Sequence, residues 1–233
     1  MKHLILLTAL LATPAFAEDP EAKAREADAK AKVEALKTAM KGKDDGAKTS
    51  AIADCGAVNH ALTAIALAPI LGDPSDDLRL AAAKALGDMK SLPEAAKALH
   101  GGLKANESKA SVLQAIFASM GDVNHPASVA VCRDYVNDRI AKRDSAEQPG
   151  INEAISCLGK LKWKASVTAL IEMAKRNEVA NGARGGKGLR AKSDIRMFKA
   201  LVQLTGESFE SSEAWDDWWK KNAGKFNDDL TAK

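Results

Sequence analysis

Four glycines, Gly56, Gly87, Gly121 and Gly159, recur along the chain at intervals of 31, 34 and 38 residues, and their surroundings recur with them. The residue before each is Cys55, Leu86, Met120 and Leu158, and the residue two after it is Val58, Met89, Val123 and Leu161. Both columns are therefore apolar in every copy. The turns after Gly56 and Gly121 also share Val-Asn-His, as Val58-Asn59-His60 and Val123-Asn124-His125. A fifth copy, Asp194-Ile195-Arg196 through Leu204-Thr205-Gly206, echoes Asp77-Leu78-Arg79 through Leu86-Gly87. A period of this length belongs to stacked helical units, each of which hides its apolar face only against its neighbours.

The clearest copy runs from Asp73 to Leu103. Leu78, Ala82, Ala85 and Leu86 fall at i, i+4, i+7 and i+8, the apolar stripe of a helix with a 3.6-residue period. Pro74, Ser75 and Asp76 supply its start, and Gly87 is expected to end it in the left-handed conformation. A second helix is expected from Ser91 or Leu92, with Pro93 in its first turn and Ala96, Leu99 and Leu103 facing inward.

Asp73-Pro74, Asp77-Leu78-Arg79, Ala82, Ala85-Leu86-Gly87 and Pro93-Glu94-Ala95 together resemble a HEAT repeat of the short bacterial type, and the resemblance extends loosely over residues 47–206. The family's early first-helix arginine resembles Arg79 and Arg196, whereas the third copy has Leu113 at that place. The resemblance implies an all-α fold, an α-solenoid of about five HEAT-like helix pairs, used mainly for protein–protein contact. A few HEAT-like proteins are enzymes or bind DNA. Flanking the repeats are a charged Ala-rich helix and hinge over 18–46 and a Trp-rich capping helix and tail over 207–233.

Residues 1–17 read as a secretory signal peptide: Lys2 and His3, an apolar run from Leu4 to Ala12, then Ala15-Phe16-Ala17 as the cleavage site. About nine apolar residues are too few for a stable membrane anchor. The mature chain is expected in a periplasm or outside the cell. Alanine supplies much of the 46% hydrophobic fraction while aromatics make up only 4%, a balance that suits close-packed helices and argues against a β fold. Loss of Lys2 lowers the formal charge from +3 to +2, which gives no case for nucleic acid.

From Asp19 to Lys41, Ala29, Val33, Leu36 and Met40 form a narrow helical seam, which reads as an arm folded on the first repeat or free for a partner, with Gly42 to Gly46 as a hinge. Cys132 and Cys157 lie at matching heights on successive helices, a possible disulfide closing a loop worth roughly 3.5 kcal/mol in the chain-entropy model, while Cys55 occupies a leucine column. His60 and His125 read as turn or cap residues, and His100, near a helix end, as a cation suited to the dipole. No C-x-x-C, H-E-x-x-H or nucleophile-elbow spacing occurs, so no metal, cofactor or catalytic set is expected. Asp73, Ser75 and Asp77 mimic the opening of a calcium loop, but Leu78 stands where its glycine belongs. Asn106-Glu107-Ser108 matches a glycosylation sequon.

The insertion from Asn177 to Asp194 brings Arg184, Lys187, Arg190 and Lys192 among glycines, a candidate anion-binding loop. Near the end, Trp215, Trp218 and Trp219 share one helical face behind Ser211 or Ser212, which suits a structural cap on the open end of the stack. The reading favoured is an exported, non-enzymatic scaffold that binds another protein on a concave face formed by its second helices, with Lys97, Arg133, Lys164 and Glu172 as contacts. The alternatives are an anion or polysaccharide binder using the basic loop, and an enzyme or accessory subunit with an unrecognised site.

Overall fold

The structure, a computed structural model, describes residues 20–141, 150–182 and 189–233, with the side chains at 140–141, 178–182 and 189–194 excepted. The signal-peptide reading of 1–17 and Asp19, where the charged helix was expected to begin, lie outside the described residues. Among the described residues eleven α-helices follow in order: α1 (Pro20–Lys41), α2 (Asp45–Gly56), α3 (Ala61–Leu67), α4 (Asp76–Gly87), α5 (Pro93–Ala105), α6 (Ala110–Val123), α7 (Ala127–Ala141), α8 (Ile151–Lys160), α9 (Lys164–Gly182), α10 (Leu189–Thr205) and α11 (Ser212–Asn222). A 3-10 helix, Ala68–Gly72, continues α3, and a short one, Ala223–Lys225, follows α11.

Helices α2, α4, α6, α8 and α10 pack in series as one row, and α3, α5, α7, α9 and α11 as a second. The fold is an all-α solenoid. In α4, Leu78, Ala82, Ala85 and Leu86 are all buried, and in α5 so are Ala96, Leu99 and Leu103. The column Cys55, Leu86, Met120 and Leu158 is fully covered. Each large aliphatic side chain removed from water in this way contributes roughly 2 kcal/mol, and because the columns repeat, the core runs unbroken along the stack. Ser75 caps α4 as expected, its hydroxyl accepting the Leu78 N–H at 3.4 Å, while Asp73 Oδ1 accepts the Ser75 N–H at 2.8 Å as an ordinary turn acceptor.

The repeating glycines have a different role from the one expected. Gly87 is the last residue of α4, and the cap after it, Asp88, has φ −74°, right-handed like the rest of the helix. What the position requires is space. A methyl group on Gly87 would stand 2.7 Å from Ser119 Oγ of the next first helix, on Gly56 2.8 Å from Ala85 Cα, on Gly121 2.8 Å from Lys160 Cδ, and on Gly159 3.0 Å from Ala200 Cβ. Glycine at this column lets successive first helices approach side to side. Left-handed residues stand elsewhere: Asn124 (φ 54°) ends α6, Ser91 (φ 57°) lies in the turn after α4, and of the repeat glycines Gly206 (φ 76°), at the end of the fifth copy, takes that conformation.

The turns between first and second helices are stitched to one another. Asn59 Nδ2 donates to Lys90 O (3.2 Å), Ser91 N–H to Val123 O (2.7 Å), Lys162 N–H to Asn124 Oδ1 (2.9 Å) and Lys164 N–H to Asp228 O (2.8 Å). The C-terminal tail therefore takes the place of a fifth turn. His60 and His125, equivalent in sequence, are equivalent in role: each Nδ1 accepts a backbone N–H at the start of its second helix, from Leu62 and Ala127, both at 3.2 Å.

At the N-terminal end α1 packs on α2 and α3, burying Ala29 and Leu36, with Val33 and Met40 half-buried. Asp44 caps α2 through Gly46 N–H (2.8 Å) and Ala47 N–H (3.2 Å), so the connection shortens to residues 42–44. At the other end, α11 continues the second row by packing on α9. Ser211 caps it, its hydroxyl accepting the Ala214 N–H at 3.2 Å. Trp215 is fully buried and Trp219 nearly so, and Trp218 is half-buried between them. Phe209 meets Trp215 edge-on at 4.9 Å between centroids, and Trp219 Nε1 donates to Thr168 Oγ1 of α9 at 3.1 Å. Trp163 turns inward and donates Nε1–H to Asn124 O at 3.1 Å.

Candidate binding grooves

The second row is interrupted early. Helix α3 spans only seven residues before Pro69 and its neighbours tighten into the 3-10 turn, and both pieces pack on α5. The result is a groove of about 770 Å³, floored by small residues (Ala68, Ala98, Gly101, Ala105) and rimmed by Ile65, Glu94 and Lys97. Ile65 is 60% exposed, a large apolar side chain facing water. A methyl group added to Gly101 would meet nothing within 4 Å, so the floor there is open, whereas one on Gly102 would press on Leu71 at 2.8 Å.

Beneath this groove the backbone ends are held by Arg79 and Asn106. Arg79 donates to Asn106 Oδ1 (2.7 Å), Ala105 O (3.3 Å), Gly72 O (3.5 Å) and Asp73 O. Asn106, fully buried, donates to Leu71 O (2.9 Å) and Gly102 O (2.8 Å). The guanidinium thus neutralises orphan carbonyls at two helix ends. This also disposes of the sequon: an asparagine amide with both ends occupied in the interior presents nothing for a glycan.

Of the four expected contact residues, Lys97 lines the groove. Arg133 on α7 and Glu172 on α9 lie farther along the same row, with Arg133 paired to Asp134 at 2.9 Å and within the electrostatic reach of Glu172. Lys164 stands apart, at the turn edge where its N–H meets the tail. What the sequence missed is Ile65 and the 3-10 break. The dipeptide Ala68-Pro69 after a helix of about two turns was the available signal.

A second groove, of about 630 Å³, lies on the first-helix row across α6, α8 and α10, and is lined mainly by polar side chains. Nothing in the chain's periodicity marks it, since it depends on the register of helices some forty residues apart.

Cys132 on α7 and Cys157 on α8 face each other thiol to thiol, both buried and both free. Burial, and next the neighbouring Cys157 thiol, push the Cys132 thiol well above its ordinary range, so it is no thiolate nucleophile. His100 is not the helix-end cation expected. It shares a 2.9 Å hydrogen bond with Ser128 Oγ, and burial, with His125 nearby, lowers its pKa to about 4, leaving it neutral at physiological pH.

The expected basic loop is shorter than 177–194. Helix α9 runs through Gly182 and α10 begins at Leu189, which puts Arg190 and Lys192 in a helix, while Arg184 and Lys187 lie outside the described residues. Among the described residues no cluster of histidine, cysteine and carboxylate side chains is set to hold a metal ion, and no helix is long and apolar enough to cross a membrane.

Two rows of helices, stitched turn to turn, define an α-solenoid with open grooves on its surface. Residues 63–149 match the family model for HEAT repeats, so the helix pairs of that stretch are HEAT repeats. HEAT repeats serve in general as protein-interaction scaffolds. A comparison with curated proteins finds no match.

Proposed function

We propose that the protein is an exported, non-enzymatic scaffold that binds another protein on its second-helix row, with the α3–α5 groove as the main seat. The observation that carries this is the exposed Ile65 beside an open floor of alanine and glycine, an apolar surface that water covers at a cost. The occupant fitted to it is a segment of a partner protein that presents bulky apolar side chains to the small-residue floor and a cation–carboxylate pair to Glu94 and Lys97 on the rim. Buried apolar anchors of this kind supply most of the affinity in protein interfaces. Arg133 and Glu172 extend the contact along the row with charges of both signs.

Gly101→Leu places bulk in the groove from a position where a Cβ meets nothing within 4 Å, and Ile65→Asp removes the anchor. The mature protein and these two variants serve as bait in a pull-down from the native envelope fraction. The expected outcome is a captured protein that both variants lose, roughly tenfold or more in affinity, and that resists added salt. If every captured protein binds both variants as well as the parent chain, the groove is not the seat.

A further inference from the structure

The groove on the first-helix row has a chemistry of its own, opposite in kind to the apolar seat and on the other layer of the stack. Its floor is Ala118 and Ala200, and Gly159 draws α10 onto α8 so closely that its α-carbon side lies against Ala200. Gln114 of α6, Asn152 and Ser156 of α8, and Gln203 of α10 converge on it, all exposed. Three cations line it, Lys160, Arg196 and Lys199, against one carboxylate, Glu153.

The sequence sets Arg196 beside Arg79, whose side chain is only 11% exposed because two helix ends supply it with carbonyl acceptors; but Ile195, set beside the buried Leu78, is 57% exposed, so the register of the fifth copy does not carry over and Arg196 has a setting of its own. In the fifth repeat the arginine is exposed and lines the groove beside Lys199, one turn along α10. Lys160 is shared with Asp122 at 3.4 Å and contributes the weaker share.

We propose that this groove binds an acidic, extended segment of another polypeptide, its carboxylates on Arg196, Lys199 and Lys160 and its main chain on the side-chain amides of Gln114, Asn152 and Gln203. Three helices in a row span about 20 Å at the usual packing distance. An extended chain covers that in about six residues at roughly 3.3 Å each. Amide side chains present a donor and an acceptor together, the pair that an extended main chain offers in return. Exposed ion pairs are individually weak and screened by salt, so binding is salt-dependent and draws on several contacts at once.

The test is fluorescence anisotropy of labelled hexaglutamate with the full chain at low ionic strength. Saturable binding is expected that weakens steeply toward physiological salt, falls roughly tenfold or more in Arg196→Glu/Lys199→Glu, falls several-fold in Gln114→Ala/Gln203→Ala, and strengthens in Glu153→Gln. Hexalysine should not bind. All these side chains except the half-buried Glu153 are exposed, and circular dichroism confirms that each variant is folded. Absence of binding, or binding unmoved by the charge reversal, overturns the proposal. Displacement by inorganic phosphate with no effect of the glutamine substitutions also overturns it, leaving a simple anion site. Gly101→Leu should leave hexaglutamate binding unchanged, so a failure here is distinct from a failure of the apolar seat.

Discussion

His100 has its pKa held at about 4 against 6.5 for the free side chain, first by burial and then by His125. The sign follows directly. Above pH 6.5 the ring is neutral in folded and unfolded chains alike. As pH falls from 6.5 toward 4 the unfolded chain takes up the proton and the folded one does not, so stability is lost across that window. Because the side chain is only partly buried, the loss is discounted to about 1–2 kcal/mol. Denaturant titrations of the parent chain and His100→Gln at pH 7 and pH 4.5 check it: the variant should show the smaller fall. Arg79 is the opposite case, a charge whose partners are all fixed. Arg79→Lys keeps the charge but loses the fork, and a loss of about 2–4 kcal/mol is expected in equilibrium unfolding. Both roles were beyond the sequence for the same reason. The resemblance marked Arg79 as a family position, yet its acceptors Ala105 and Asn106 lie on the next helix, and the position of His100 near a helix end pointed toward a cation until its cover by α7 was known.

At the level of the helix, burial with a 3.6-residue period was legible because each buried residue reports its own face. That is why Leu78, Ala82 and Leu86, or the column from Cys55 to Leu158, needed no correction. The glycines did, since the same residue serves a left-handed cap and a close helix contact, and only the neighbouring helix distinguishes them. The two kinds of helical glycine give opposite expected outcomes. Gly87→Ala drives a methyl group against Ser119 and should cost about 1–3 kcal/mol despite the better helix propensity of alanine. Gly101→Ala meets open space and should gain roughly 0.5–1 kcal/mol. Thermal melts of the pair decide it by sign. The level placement of α7 and α8 was also readable by counting residues from their loop. Refolding the reduced chain with oxidised glutathione should join Cys132 to Cys157 by thiol–disulfide exchange, two reduced glutathiones leaving for each bond formed, while Cys55 stays open to alkylation after unfolding. Peptide mapping that finds all three thiols alkylated would end that expectation.

For the molecule as a whole, the consequential feature is that each helix pair rests only on its neighbours, with α1 closing one end and α11 with the tail closing the other. Stability in such a stack is a chain of local couplings, so damage at one end should not be felt evenly. Trp215 is the place to test this. It is fully buried between α11 and the body, and its indole Nε1 meets no acceptor among the described residues, so its value lies in packing and not in a hydrogen bond. Trp215→Phe therefore discards an unsatisfied donor along with some volume, and Trp215→Ala discards the packing itself, about 3–5 kcal/mol. Amide hydrogen exchange on the two variants should separate a serial stack from a single cooperative core. In the stack, Trp215→Ala speeds exchange in α9, α10 and α11, where Trp219 and Lys175–Asp216 (2.8 Å) join the last helix to the body, while α2 to α5 keep the protection of the parent chain. Equal acceleration from α2 to α11 would mean that the ends are coupled through one core, and the stitched turns from Asn59 to Asp228 would then be the path that joins them.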